Sequence, residues 1–111
     1  MKEVEPPPRY QSFAKHFPEV LAAYESLGQS VRQAGPLDDR TRRLARLGIA
    51  VGARLRGAVH AHTRLALAEG ISAEEIRQVA LLAITTLGLP QMMAALEWVE
   101  QELERVASSS P

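Results

Sequence analysis

A chain of 111 residues with 13 basic and 13 acidic side chains, a formal net charge of zero and no cysteine has the size of one small domain. The missing cysteine excludes disulfides, thiolate metal sites and any cysteine redox cycle. With hydrophobic residues at 46% and aromatics at 5%, the core must be built from Ala, Leu, Val and Ile, which favours closely packed helices over a β-sandwich.

A charged-then-apolar leader is missing, as is an apolar run long enough to cross a bilayer, so a soluble cytoplasmic protein without membrane contact is expected. The balanced charges are unevenly placed. Arg40, Arg42, Arg43, Arg46, Arg54, Arg56 and Arg64 fall in a stretch with no acidic residue, whereas Glu97, Glu100, Glu102 and Glu104 follow near the end. Solvated faces or complementary subunit contacts account for this better than an anion site. Nucleic-acid binding is not expected, because overall basicity, a base-reading motif and interleaved aromatics are all missing.

The pattern predicts an all-α protein, a compact bundle of about five helices. Residues 1–12, with Pro6-Pro7-Pro8, read as an extended proline-rich arm; residues 13–107 form the single helical domain, and residues 108–111 a flexible tail. Phe17-Pro18 opens the first helix with proline in its first turn, and Gly35-Pro36 closes it. The second starts at Asp38 or Asp39, presents Leu44, Leu47 and Val51 on one side, and ends or bends near Arg56-Gly57. Gly48 and Gly52 within it would permit close approach by a neighbour. The third runs to Ala68 and stops at Gly70. Ser72-Ala-Glu-Glu75 is a capping box for the fourth, which Gly88 ends. Pro90 opens the fifth, where Met92, Leu96, Val99, Leu103 and Val106 make an amphipathic stripe suited to core or subunit seam. A small domain with apolar helical faces left over is expected to form a homo-oligomer.

Chemistry must come from His62, His60 and the arginines. His62 shares a partly apolar helical face with Val59 and Ala66, so it should point inward or into a crevice, either as a satisfied core histidine or as an acid or base near neutral pH. His60 falls on another face, and two histidines at i and i+2 are poorly placed to share a metal; no metal and no other cofactor is expected.

Four intervals carry a resemblance: Arg40-Thr-Arg-Arg-Leu44, Arg54-Leu-Arg-Gly-Ala-Val-His-Ala-His62, Gly70-Ile-Ser-Ala-Glu-Glu-Ile76 and Leu87-Gly-Leu-Pro90. Together they resemble the carboxymuconolactone decarboxylase and alkylhydroperoxidase D-like superfamily, from about Phe17 to Leu103. The peroxidase branch carries CxxCxxxH here; this chain has Leu55 and Ala58 at the cysteine positions and keeps only His62. The relay glutamate of that branch corresponds to Arg43. Thiol peroxidase activity is therefore not expected.

The decarboxylase branch does not use the cysteine pair. The resemblance implies that His62 stands at its proposed active-site histidine, with a substrate that is a lactone bearing carboxylates. Arg43 would suit such a ligand, since guanidinium binds carboxylate bidentately. A further histidine of that branch corresponds to Ala83, and the acidic residues between its second and third helices have no counterpart from Leu55 to Ala58. Three classes follow: a decarboxylase-like or isomerase-like enzyme acting on a small carboxylate through His62 and Arg43, a non-catalytic binding module, and an assembly protein retaining the fold. The family resemblance further implies a trimer or hexamer.

Overall fold

The structure, a computed structural model, describes residues 6–109. Among these the backbone forms seven helical segments and divides into two compact units, residues 6–38 and 39–109. Each is described by itself.

The first unit holds α1 (Pro8–His16) and α2 (Pro18–Gln33). Helix α1 corrects the expected extended arm over residues 8–12. Pro8 occupies the first turn, where proline's missing N–H costs nothing and its fixed φ suits the helix, so the proline run is a helix start. The residues of the arm before Pro6 lie outside the described residues. Pro18 separates the two helices by forcing Phe17 out of the helical region, to φ −132° and ψ 60°. The rings of Phe13 and Phe17 pack across that joint, 5.9 Å apart. No residue of either helix is buried. Val20, Tyr24, Leu27 and Val31 form an exposed apolar stripe along α2.

The second unit holds α3 (Asp39–Gly52), α4 (Arg56–Ala68), α5 (Ala73–Leu81), α6 (Ile84–Leu87) and α7 (Leu89–Ser108). Its core joins Leu47, Ala50 and Val51 of α3, Val59 and Ala66 of α4, Ile76 and Ala80 of α5, and Met92, Ala95 and Val99 of α7. Burial of each large member contributes about 1.5–3 kcal/mol. The stripe on α7 is therefore intramolecular core against α4 and α5 rather than a free seam. Helix α7 also runs into the expected tail as far as Ser108; Ser110 and Pro111 lie outside the described residues. Glycine in α3 does not mark a close approach within the chain: a Cβ at Gly48 would lie 3.9 Å from Val79, and one at Gly52 would meet nothing within 4 Å.

Two matching turns bracket α4. After α3, Arg54 N–H donates to the Val51 carbonyl and Leu55 N–H to that of Ala50; after α4, Gly70 N–H donates to Leu67 and Ile71 N–H to Ala66. Both are Schellman closures, which need a left-handed residue, supplied by Gly70 at φ 90° and by Arg54 at φ 60°. Arginine carries a Cβ penalty that glycine avoids. The Ser72 and Glu75 capping box forms as the sequence implies, with Glu75 N–H donating to Ser72 Oγ at 3.2 Å and Ser72 N–H to Glu75 Oε2 at 3.1 Å. The helix it starts stops at Leu81, and Leu82-Ala83 turns the chain into the short α6 before Gly88. Among the described residues no helix is long and apolar enough to cross a membrane.

Candidate functional site

Helices α3 and α4 bring Arg43 and His62 together. Arg43 Nη1 donates to His62 Nδ1 at 2.8 Å. Since guanidinium has no acceptor, Nδ1 must be the unprotonated nitrogen, and a neutral His62 therefore carries its proton on Nε2. The same guanidinium donates from Nε and Nη2 to the two oxygens of Glu69, at 3.0 and 2.9 Å. Glu69, the C-cap of α4, lies seven residues after His62, two helical turns, so both fall on one side of that helix, which Arg43 spans from α3. That i, i+7 interval was the available sequence signal for Glu69, which motif matching passes over.

The electrostatics keep His62 uncharged. Burial pushes its pKa below the ordinary 6.5, the nearby cations Arg43 and Arg46 push it further, and Glu69 opposes them. At neutral pH the site presents an Nε2–H donor, with the Nδ1 lone pair already used. Of the acid and base roles expected for His62, this tautomer offers the donor, because the accepting nitrogen faces Arg43.

A second polar cluster lies on another face of α4. Glu102 of α7, only 2% exposed, accepts from His60 Nδ1 at 2.8 Å and from Arg105, with Arg64 Nη1 3.8 Å away. Burial alone would raise the Glu102 pKa, but the hydrogen bonds from Arg105 and His60 and the charges of Arg105 and Arg64 outweigh it, leaving a carboxylate below its ordinary value. His60 and His62 thus serve different partners, and among the described residues no three His, Asp or Glu side chains group as a metal site.

Other arginines of the acid-free stretch also find acids elsewhere in the second unit. Arg40 pairs with Glu75, and Arg42 with Asp39. An open cleft of about 810 Å³ lies between α3, α5 and α6, walled by Leu44, Val51, Val79, Leu82, Ala83 and Leu87. Neither His62 nor Arg43 lines it, so Ala83, at the position of a decarboxylase histidine, and His62 face different spaces.

The family model of the carboxymuconolactone decarboxylase family matches residues 18–101. Among solved structures, the fold is similar to the apo form of a carboxymuconolactone decarboxylase family protein from Legionella pneumophila, with a TM-score of 0.71 and 27% sequence identity over 86% of each chain. No curated protein matches the sequence.

Proposed function

The chain belongs to the carboxymuconolactone decarboxylase family, and from that premise we propose that His62 and Arg43 form a site for a small carbonyl compound bearing a carboxylate. The hydrogen bond from Arg43 Nη1 to His62 Nδ1 carries the reading, because it leaves a neutral imidazole with Nε2–H directed away from the arginine. Such a group donates to an oxygen on which negative charge builds, the role a neutral histidine of lowered pKa fills in carbonyl chemistry. In a decarboxylation, the bond to the departing carboxylate breaks, its electron pair moves onto the neighbouring carbonyl oxygen as CO2 leaves, and Nε2–H stabilises the resulting enolate. Solvent then supplies the proton to carbon. Arg43 would hold a carboxylate that stays, since gripping the departing one would stabilise the ground state.

Arg43→Ala is expected to weaken binding of a small oxo-carboxylate by about 2 kcal/mol, and His62→Ala to weaken it less, by the loss of one neutral hydrogen bond, while removing turnover. Titration calorimetry beside a CO2-release assay checks both. Unchanged binding in Arg43→Ala overturns the reading.

A second reading, a binding or assembly protein that retains the fold, draws on two observations. The open cleft lies away from His62, and α2 exposes the stripe from Val20 to Val31. Ligand binding without turnover would favour it. On either reading we propose a homo-oligomer, a trimer or hexamer as the family resemblance implies, with the exposed α2 stripe covered in it; sedimentation of a stable monomer at micromolar concentration defeats that.

A further inference from the structure

The pair between Arg43 and Glu69 has the form of the contact an external carboxylate would make. Nε and Nη2 take the two oxygens of Glu69 while Nη1 holds His62, so the fork that would receive a ligand is already filled. Glu69 is an awkward anchor for a purely structural pair. It caps the C-terminus of α4, where the last carbonyls carry partial negative charge and disfavour a carboxylate. Its side chain is 41% exposed against 14% for Arg43, so the cation is fixed and its partner has room to move.

Resting on the carboxylate-site reading above, we infer that Glu69 is a displaceable stand-in for the ligand's own carboxylate. It holds the Arg43 fork, and through it His62, in register; an arriving carboxylate takes the same two donors and releases Glu69 to water. No donor of Arg43 is left unmet in either state. Because Glu69 is tethered, it competes as an intramolecular ligand. A bare carboxylate gains no contact that Glu69 lacks. A ligand with a second acceptor, an oxo or lactone oxygen within reach of His62 Nε2–H, does, and the competition selects for that class.

Levulinate, an oxo-carboxylate, and acetate are the probes, followed by NMR titration on the full chain. Glu69→Gln should tighten levulinate binding by about five- to tenfold, the equivalent of an ion pair no longer displaced. Glu69→Ala should do the same, and levulinate should outcompete acetate on the wild-type protein. Glu74→Gln changes net charge equally, at an exposed position of α5, and should leave affinity unchanged. Equal or weaker levulinate binding in both Glu69 variants overturns the inference while leaving the carboxylate site standing, as does an equal gain in Glu74→Gln. Absence of binding to wild type and both Glu69 variants removes the carboxylate reading itself, and the inference with it.

Discussion

Helix α4 carries two histidines two residues apart, and their surroundings treat them in opposite ways. His62 Nδ1 accepts from a guanidinium and so leaves Nε2–H outward, whereas His60 Nδ1–H donates to a carboxylate and leaves Nε2 without its own proton when neutral. The first sits beside a half-exposed ion pair. The second is tied to Glu102 at 2% exposure, with its Nε2 buried and without a hydrogen-bond partner among the described residues. Identical side chains on one helix thus become a donor beside an ion pair and a part-buried strut between α4 and α7. The residue on the facing helix, Arg43 or Glu102, decides which.

The largest expected contrast follows from burial of the two acids. Glu102→Ala removes the carboxylate that Arg64, His60 and Arg105 share, leaving the buried Arg64 and the part-buried His60 without their partner. That should cost about 3–5 kcal/mol, a large part of a small domain's total stability of about 5–15 kcal/mol. Glu69→Gln removes the charge of the exposed partner of Arg43 but keeps an amide oxygen that can accept from it, and should cost about 1 kcal/mol. Urea denaturation of the two variants measures the gap. Similar penalties would erase the distinction between the sealed and open faces of α4.

Much of this arrangement was legible in the sequence, and the exceptions have physical causes. Ser72, Glu75 and Gly70 announce helix ends because capping and left-handed turns depend on local chemistry. The α7 stripe identifies its core face, because burial follows helical period. His62 and Arg43 emerged from the family pattern, and the structure brings them into contact. Glu69 is only half legible: the i, i+7 interval places it on the side of His62, but its pairing with Arg43 depends on the register between α3 and α4, which no single helix encodes. Glu102 reads as one more charge in an acidic helix, since burial beside Arg64 and His60 is a tertiary fact. Helix α1 is masked in the sequence because three prolines suggest an extended chain, although the last of them suits a first turn.

Acid should weaken the fold in stages, beginning with His62. The folded pKa of His62 lies below 6.5, chiefly through burial and then through Arg43 and Arg46. Below pH 6.5 the unfolded chain therefore binds a proton that the folded chain refuses, and stability falls as pH drops toward the folded value. Glu102 acts next. Against the cost of burial, its bonds from Arg105 and His60 hold it below the ordinary 4.5, so its contribution is present above that value and lost as pH falls through the folded pKa. Glu75 and Glu100, lowered by hydrogen bonds from Arg40 and Arg77, add in the same direction. Two-stage loss of stability on acidification is expected. Nitrogen-resolved NMR should find Nδ1 of neutral His62 unprotonated and Nδ1 of His60 carrying a proton; matching Nδ1 states would break the comparison.

The smallest effect probes how dry the sealed side is. Thr63 is fully buried in α4, and its Oγ1, like His60 Nε2, finds no hydrogen-bond partner among the described residues. A hydroxyl in that position incurs a desolvation cost without return, and valine has the same shape without the oxygen. Thr63→Val should accordingly stabilise the fold by about 1 kcal/mol, read as a rise in denaturation midpoint at unchanged slope. The change adds no charge and removes no hydrogen bond of the neighbouring His62, so the His62 titration should not move. Destabilisation instead would mean that Thr63 Oγ1 is hydrogen-bonded in solution, through an internal water shared with His60 or otherwise. The second cluster would then be a hydrated interior site rather than a strut, and the contrast along α4 would rest on charge alone.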